Sequence, residues 1–232
     1  MAFIDVVNLT KIYDIPKKGK ITALGGVNIK IDRGEFISLV GPSGAGKSTL
    51  IRLFIREDVP TTGRISIAGR DITKLKTDDL PYYRRKVGVI FQDYKLLPQK
   101  TVYENIAFAL EVCDVPAKEI REKVIKILAL VGLSARMENY PHELSGGEQQ
   151  RVAIARSLVH SPQIVIADEP TGNLDPVNSK EIIDLLLRIN RAGAVVILAT
   201  HNAEIVNNLR RRVISMRGGK VVSDSKIGRY KI

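Results

Sequence analysis

Residues 41–48 combine backbone freedom with one charge and one hydroxyl. They are Gly41, Pro42, Ser43, Gly44, Ala45, Gly46, Lys47 and Ser48. The three glycines let successive backbone N–H groups point inward without interference from a Cβ atom. Lys47 can reach the outer phosphates of a bound nucleotide, and Ser48 Oγ can ligate Mg²⁺. The spacing therefore predicts a cradle for the phosphates of ATP or a similar triphosphate.

The residues around this octapeptide support that interpretation. Residues 36–40 are apolar and predict a buried strand, whereas the stretch from Thr49 to Phe54 predicts a helix. A helix start adds unpaired N–H donors and the positive end of its dipole. The alternative is a glycine-rich turn that only joins strand to helix, but the full spacing, the lysine and both flanks favour the phosphate site.

Two adjacent acids follow a second apolar strand. Asp168 and Glu169 follow the apolar residues 164–167 and are expected at the edge where open α/β sheets bind ligands. Asp168 can hold Mg²⁺ through water, and Glu169 can face the γ-phosphate and polarise an attacking water. The alternative is that the two acids cap the following turn, residues 170–173.

A second anion-binding motif lies at residues 144–148. Ser145, Gly146 and Gly147 precede a predicted helix, and such a helix start can bind an anion. In isolation the motif is most often a simple cap and turn. The chain then carries two predicted phosphate-binding motifs. We therefore expect an ATP-driven head-to-tail dimer, in which residues 145–147 of each copy bind the γ-phosphate held by residues 41–48 of the other copy.

The rest of the chain predicts the elements that position these residues. Alternation in residues 3–9 and 27–31 predicts an antiparallel edge sheet. Near-continuous apolar runs at 87–91, 163–167 and 194–199 predict parallel strands covered on both faces.

Helical patterns and a hairpin complete the predicted fold. The helices cover residues 101–111, 117–131 and 148–158, and the hairpin covers 216–221. We predict one α/β domain of the P-loop NTPase (RecA-like) type. It has a parallel central sheet, an N-terminal antiparallel β subdomain and an inserted helical subdomain. The predicted core is about 1–92 and 160–232, with the helical subdomain about 93–159.

Composition excludes several classes. The chain of 232 residues has no apolar run long enough for a membrane helix. Its start lacks the basic and apolar segments of a secretory signal, so we expect a cytoplasmic protein. Cys113 is the single cysteine, which excludes an internal disulfide and a Cys₄ zinc site and predicts core packing.

A net charge of +11 calls for an anionic neighbour or a solvated basic face. Basic clusters lie at residues 84–86, 210–212 and 226–231. Nucleic acid, an anionic membrane surface and plain solubility all remain compatible with this charge.

Taken together, these motifs resemble the ATP-binding subunits of ABC transporters over nearly the whole chain. Residues 41–48 resemble the family's Walker A loop, and 164–168 its Walker B strand followed by the catalytic Glu169. Residues 144–148 resemble the family signature. The resemblance implies an ATP hydrolase that uses Mg²⁺.

Three further residues receive roles from the resemblance alone. It implies that Tyr13 stacks on adenine, that Gln92 touches Mg²⁺ and the attacking water, and that His201 contacts the γ-phosphate. Residues 173–175 match the loop that crosses the dimer interface. Taken alone, Tyr13 would be an exposed strand-end tyrosine, Gln92 a polar strand terminus and His201 a helix cap. His142 and His160 match no family site and are predicted to lie on the surface.

Within the family, the resemblance is closest to the FtsE family of bacterial cell division. It rests on residues 56–60, 91–98 and 101–105. That family implies an integral membrane partner of the FtsX type, through which ATP-driven motion activates cell-wall hydrolases. It also implies a location on the cytoplasmic face of the membrane. The long basic stretch 14–21 is instead similar to lipoprotein-releasing and macrolide-export subunits, which are the alternative.

Two other classes explain less of the sequence. DNA-associated ATPases of the same family insert long coiled coils or zinc modules between their motifs, so we expect no specific nucleic-acid partner. A GTPase or small-molecule kinase would leave residues 145–147 without a role, and an Asn-Lys-x-Asp guanine-binding motif is missing.

Overall fold

The computed structural model describes residues 2–16 and 19–230 and divides the chain into two units. The first unit comprises Met1–Arg84 and Gly193–Ile232, and the second comprises Arg85–Ala192. In chain order the elements are β1 (Ile4–Ile15), β2 (Gly19–Ile31), β3 (Phe36–Val40), α1 (Lys47–Phe54), β4 (Thr62–Ile67), β5 (Arg70–Asp71), α2 (Leu80–Arg84), β6 (Val87–Ile90), α3 (Val102–Glu111), α4 (Ala117–Leu130), α5 (Gly146–Leu158), β7 (Ile164–Asp168), α6 (Pro176–Arg191), β8 (Val195–Ala199), α7 (Ala203–Leu209), β9 (Arg212–Arg217) and β10 (Lys220–Ser225). The predicted subdomain boundaries near 93 and 159 stay a prediction.

The N-terminal sheet of the first unit is antiparallel, with strand order β2-β1-β4-β5. On β2, Ile29 and Ile31 are buried while Lys30 between them is exposed. A strand with one face on the core produces this alternation of period two. The predicted antiparallel subdomain is confirmed, whereas β4 and β5 were not predicted.

A second group of strands in the first unit is built around β3. This strand lies between β8 and β9 and is parallel to both. Every residue of β3 and β8 is buried, as expected for strands covered on both faces. Strands β9 and β10 form the predicted hairpin, whose turn residues Gly218 and Gly219 have positive φ.

The second unit contains two parallel strands, β6 and β7, and four helices. Helices α3, α4 and α5 lie between these strands in the sequence, so the predicted α/β class with an inserted helical segment is confirmed. Thr101 and Glu104 form a capping box that begins α3, and the buried face of α4 carries Ile120, Val124 and Leu128. Helix α6 was not predicted. Within residues 2–16 and 19–230, no helix has the length and apolar character needed to cross a bilayer.

Candidate nucleotide site

The loop that leads from β3 into α1 has a backbone that requires glycine. Gly46 is the N-cap of α1 with φ 100°, and a Cβ there would lie 2.8 Å from the carbonyl oxygen of Ala23. A Cβ on Gly41 would collide with the carbonyl oxygen of Met216. Both positions therefore combine close backbone contact with a positive φ, which explains why glycine occupies them.

Lys47 folds back over this loop. Its Nζ donates to the carbonyl oxygens of Gly41 at 2.6 Å and Pro42 at 3.2 Å. The backbone N–H of Ala45 donates to Pro42 O at 3.1 Å, and Gly219 N–H donates to Ala45 O at 3.1 Å. The ammonium group is thus held against the loop that would carry the phosphates.

Tyr13, near the end of β1, is part of a polar cluster within the first unit. Its hydroxyl donates to Asp58 Oδ2 at 2.8 Å. Lys11 Nζ lies 2.6 Å from Asp58 Oδ1 and 4.8 Å from the centroid of the Tyr13 ring. Tyr13 is therefore partly buried and fixed at its hydroxyl end.

The charges of this cluster change the acidity of its members. Burial, reinforced by the Asp58 carboxylate, raises the pKa of Tyr13. Burial also pushes the pKa of Asp58 upward, but hydrogen bonds from Lys11, Tyr13 and the Val59 N–H outweigh it and hold that pKa below its ordinary value. Sequence reasoning missed Lys11 and Asp58, because Asp58 is far from Tyr13 along the chain.

His201 lies at the same sheet edge as the phosphate loop. Leu39 of β3 is opposite Ala199 of the parallel strand β8, and Gly41 and His201 each follow two residues later. Asn202, not His201, caps α7 by accepting a bond from Ile205 N–H at 3.1 Å. The interpretation of His201 as a helix cap is therefore wrong.

The second unit repeats this geometry with a different pair. Ile90 of β6 is opposite Ala167 of β7, and Gln92 and Glu169 each lie two residues beyond this pair. Asp168 is the last residue of β7. Glu169 has a φ of 48°, a left-handed conformation that is uncommon for glutamate, and its carbonyl accepts a bond from Gly172 N–H at 3.1 Å.

Gln92 contacts the loop after Glu169. Its Nε2 donates to Asn173 Oδ1 at 3.3 Å, and Asn173 Nδ2 donates to Gln92 O at 3.4 Å. A Cβ on Gly172 would lie 2.7 Å from Gln92 Nε2, so glycine is needed for this close approach. The structure thus brings Gln92 together with Asn173, the first residue of the segment 173–175 that was predicted to cross a dimer interface.

Residues 145–147 form the start of α5. Ser145 is the N-cap: its Oγ accepts from Glu148 N–H at 3.3 Å, and Glu148 Oε2 accepts from both Ser145 N–H and Oγ at 2.9 Å. The helix begins at Gly146, earlier than the predicted residue 148. Cβ atoms on Gly146 and Gly147 would crowd Tyr94 and Asn178 respectively. Glycine at these two positions therefore allows the Tyr94 and Asn178 side chains to pack closely against the helix start.

An acid of the chain itself lies at this helix start. The bond from Ser145 N–H, together with the Ser145 hydroxyl and the Arg136 guanidinium, lowers the pKa of Glu148 although burial opposes the shift. Arg136 Nε lies 3.2 Å from Glu148 Oε1. A carboxylate thus already accepts bonds from the backbone N–H and the hydroxyl of the N-cap residue Ser145, and the helix dipole favours a negative charge there.

His160 and Cys113 differ in burial from what the sequence predicted. His160 is partly buried rather than a surface residue, and its Nε2 lies 2.8 Å from Ala109 O. Burial lowers the pKa of His160. Cys113 is only partly buried and lies 3.9 Å from that ring nitrogen, so it is not a pure core residue. His142 is exposed, as predicted, and stacks on Tyr140.

The predicted site residues therefore fall into two groups. The first unit contains Tyr13, residues 41–49 and His201. The second contains Gln92, Asp168 and Glu169, together with residues 145–147. In residues 2–16 and 19–230, no cluster of three or more His, Cys, Asp or Glu side chains could hold a metal ion.

A phosphate loop between a buried strand and a helix, with an acid pair after another parallel strand, is typical of P-loop proteins that hydrolyse nucleoside triphosphates. The profile of the family described as ABC transporter matches residues 24–172, and the chain belongs to this family. It is an ATP-binding protein and an ATPase of this family's type.

Named relatives cover almost the complete chain. The cell division ATP-binding protein FtsE of Streptococcus pneumoniae (serotype 2, strain D39) is 53% identical over 230 residues, covering 99% of this chain and 98% of the relative. The protein of the same name from Bacillus subtilis (strain 168) is 48% identical over 225 residues, covering 97% and 98%.

A solved structure also matches almost the complete chain. It is described as a dimeric post-hydrolysis state of the ATP-binding cassette MJ0796 bound to ADP and Pi. Its TM-score is 0.87 at 34% identity, and the match covers 98% of this chain and 100% of that one. Such coverage confirms the P-loop fold predicted from the sequence.

Proposed function

We propose that this chain is the ATP-hydrolysing subunit of a membrane complex that acts in bacterial cell division. Its ATP-driven motion acts on an FtsX-like integral membrane partner and so regulates cell-wall hydrolysis. The observation that carries the proposal is the 48–53% identity to proteins named for cell division, from Streptococcus pneumoniae, Bacillus subtilis and Mycobacterium tuberculosis. These relatives do not favour the lipoprotein-releasing or macrolide-export alternative.

The proposed roles of the site residues are those that the family resemblance implies, and the placement of the residues supports them. Residues 41–49 and Lys47 Nζ bind the phosphates, and Tyr13 stacks on the base. Ser48, Gln92 and Asp168 hold Mg²⁺, which neutralises phosphate charge when it is bound. The fit rests on the glycine-dependent loop and on oxygen donors, which this cation prefers.

Hydrolysis depends on a separate set of side chains. Glu169 accepts the proton of the attacking water, Gln92 orients that water, and His201 contacts the γ-phosphate. The parallel strands support these roles, since each side chain lies two residues beyond a paired position of its strand: Ile90 and Ala167 in one pair, and Ala199 opposite Leu39 in the other.

Two copies of the chain bind two ATP molecules between them. Ser145, Gly146 and Gly147 of each copy contact the γ-phosphate held by the other copy. The dimeric state described for the MJ0796 cassette supports this arrangement. The Glu148 carboxylate accepts the bonds from the Ser145 N–H and hydroxyl at this helix start.

The chain lies on the cytoplasmic face of the cell membrane, with a basic face toward anionic lipid. The net charge of +11 supports this placement. The contribution of residues 210–212 comes from Arg210 and Arg211, because Arg212 pairs with Glu35 and Asp224. The stretch 14–21 and the tail 226–231 each include residues outside the described ranges.

The test is the Glu169→Gln variant. Losing a general base typically costs about 10²- to 10⁴-fold in rate and leaves ground-state binding intact. We expect ATP turnover to fall by that factor and a dimer to accumulate with ATP and Mg²⁺, as measured by size-exclusion chromatography with light scattering. Glu138→Gln, at an exposed position of the same unit, is the matched control.

The outcomes separate the two parts of the proposal. A Glu169→Gln variant that stays monomeric at saturating ATP contradicts the shared site. Affinity purification from membranes then addresses the partner: a co-purified integral membrane protein of the FtsX type supports the cell-division role. Recovery of a lipoprotein-releasing or macrolide-export permease contradicts it.

A further inference from the structure

Gln150 is a buried polar side chain on α5 to which neither the predicted site nor the family comparison assigns a role. Its exposed fraction is 0%. Its Nε2 donates to Pro170 O at 2.8 Å and, more weakly, to Phe91 O at 3.4 Å. Both partners are carbonyl oxygens, which only accept, so the amide must present its nitrogen to them. Its Oε1 has no hydrogen-bond partner within residues 2–16 and 19–230.

A buried acceptor without a partner is unfavourable, so packing alone does not explain a glutamine at this position. An apolar side chain of the same length would fill the space without that penalty. The property that glutamine adds is an N–H donor directed at two carbonyl groups. The positions of these two carbonyl groups, on Pro170 and Phe91, therefore indicate the function of Gln150.

Each carbonyl is adjacent to a residue of the proposed hydrolytic pair. Pro170 directly follows Glu169, and Phe91 directly precedes Gln92. Glu169 has a left-handed backbone at φ 48°. A non-glycine residue keeps such a conformation only when neighbouring groups hold it there. The bond to Pro170 O provides that restraint on one side, and Gly172 N–H, which donates to Glu169 O, provides it on the other.

The same amide links this pair to the start of α5. Gln150 lies about one turn after Ser145 and Gly146, the residues proposed to contact the other copy's phosphate. A shift of α5 would therefore move the donor that holds the backbone beside Glu169 and Gln92. All of these contacts lie within the second unit.

We propose that Gln150 is a positioning residue for ATP hydrolysis. Its amide fixes the main chain beside Glu169 and Gln92 so that both side chains can contact the same attacking water. The proposal rests on the function proposed above for those two residues. It predicts a defect in turnover rather than in nucleotide binding, because residues 41–48 belong to the other unit.

The first experiment replaces the donor but keeps the length of the side chain. In Gln150→Met we expect kcat for ATP to fall about 10- to 100-fold, since a displacement of about 1 Å can cost 10²-fold in rate. We expect KM and the affinity for ATP to change less than about threefold. Gln163→Met, at an exposed position of the same unit, is the control and should leave kcat unchanged.

The second variant, Gln150→Glu, carries a hydrogen-bond donor only when its carboxyl group is protonated. Burial would raise the pKa of the carboxyl group that this substitution introduces, and only the protonated carboxyl can donate to Pro170 O. We expect the kcat of this variant, divided by that of the wild type at each pH, to increase at least threefold as the pH falls from about 8 to 6. Gln150→Met should show no such recovery. This ratio decides the question even if the methionine variant does not fold.

Two results would overturn the proposal. One is a methionine variant with lower stability or higher KM but an unchanged kcat, which would make Gln150 purely structural. The other is a pH ratio for Gln150→Glu that stays flat. Failure of the underlying function is distinguishable, because Glu169→Gln would then retain full turnover in the same assay.

Discussion

The two helix starts proposed to bind phosphate differ in what they supply. The loop before α1 brings its own cation, with Lys47 Nζ 2.6 Å from Gly41 O, and glycines in positive-φ conformations. The start of α5 carries instead an acid, Glu148, which accepts a bond from the N–H of the N-cap residue Ser145. The first region is equipped to hold a polyanion alone, whereas the second offers a few neutral donors. This difference favours a second site that completes one formed by another copy.

The strongest test of this comparison is Ser145→Arg, which blocks the second region while leaving the first unchanged. Losing a donor to charge that develops in the transition state typically costs about 10²- to 10³-fold in rate. We expect turnover to fall by that factor while ATP affinity changes less than about threefold. Steady-state ATPase assays and nucleotide titration measure the two effects, with Ser134→Arg as an exposed control. Parallel loss of affinity and turnover would mean that the start of α5 acts within its own chain.

The converse test is Lys47→Ala, which removes the cation of the first region. A hydrogen bond to a charged group contributes about 1.5–3 kcal/mol, so we expect ATP affinity to fall about 10- to 100-fold. Fluorescence titration with a nucleotide analogue measures it, and Lys30→Ala, on an exposed part of the same unit, is the control. An unchanged affinity would contradict the assignment of residues 41–48 as the phosphate cradle.

The smallest effect concerns the acid at the second region. The lowered pKa of Glu148 means that its carboxylate stabilises the fold above its unfolded-state pKa. That contribution is lost as the pH falls through the lower folded-state pKa. We expect Glu148→Gln to lose about 0.5 kcal/mol or less at pH 7, after allowance for solvent screening, and the difference from wild type to shrink below about pH 4.5. Urea unfolding at several pH values checks this trend, and a gap that widens in acid would contradict it.

Local signals explain why much of the fold was predictable. The strands around β3 and the start of α3 follow from apolar runs and from the Thr101–Glu104 capping box. The start of α5 was predicted two residues late, because the glycines looked like a loop. The Ser145 cap draws them into the helix.

Contacts between residues that are far apart along the chain could not be predicted from the sequence. The bond between Tyr13 and Asp58 joins residues 45 positions apart, and periodicity carries no information on such a partner. Gln150 looked like another polar residue of a helix, and only the packing of α5 shows that it is buried. His160 was expected on the surface, yet the fold places its ring against the Ala109 carbonyl.

Tyr13 has one further consequence for nucleotide choice. Its hydroxyl is held by Asp58 and the Lys11 ammonium lies over its ring, so a purine stacked on Tyr13 would use the opposite ring face. An aromatic face contacts the flat surface of a base and not its hydrogen-bonding edge. Any preference for adenine over guanine must therefore come from groups other than this tyrosine.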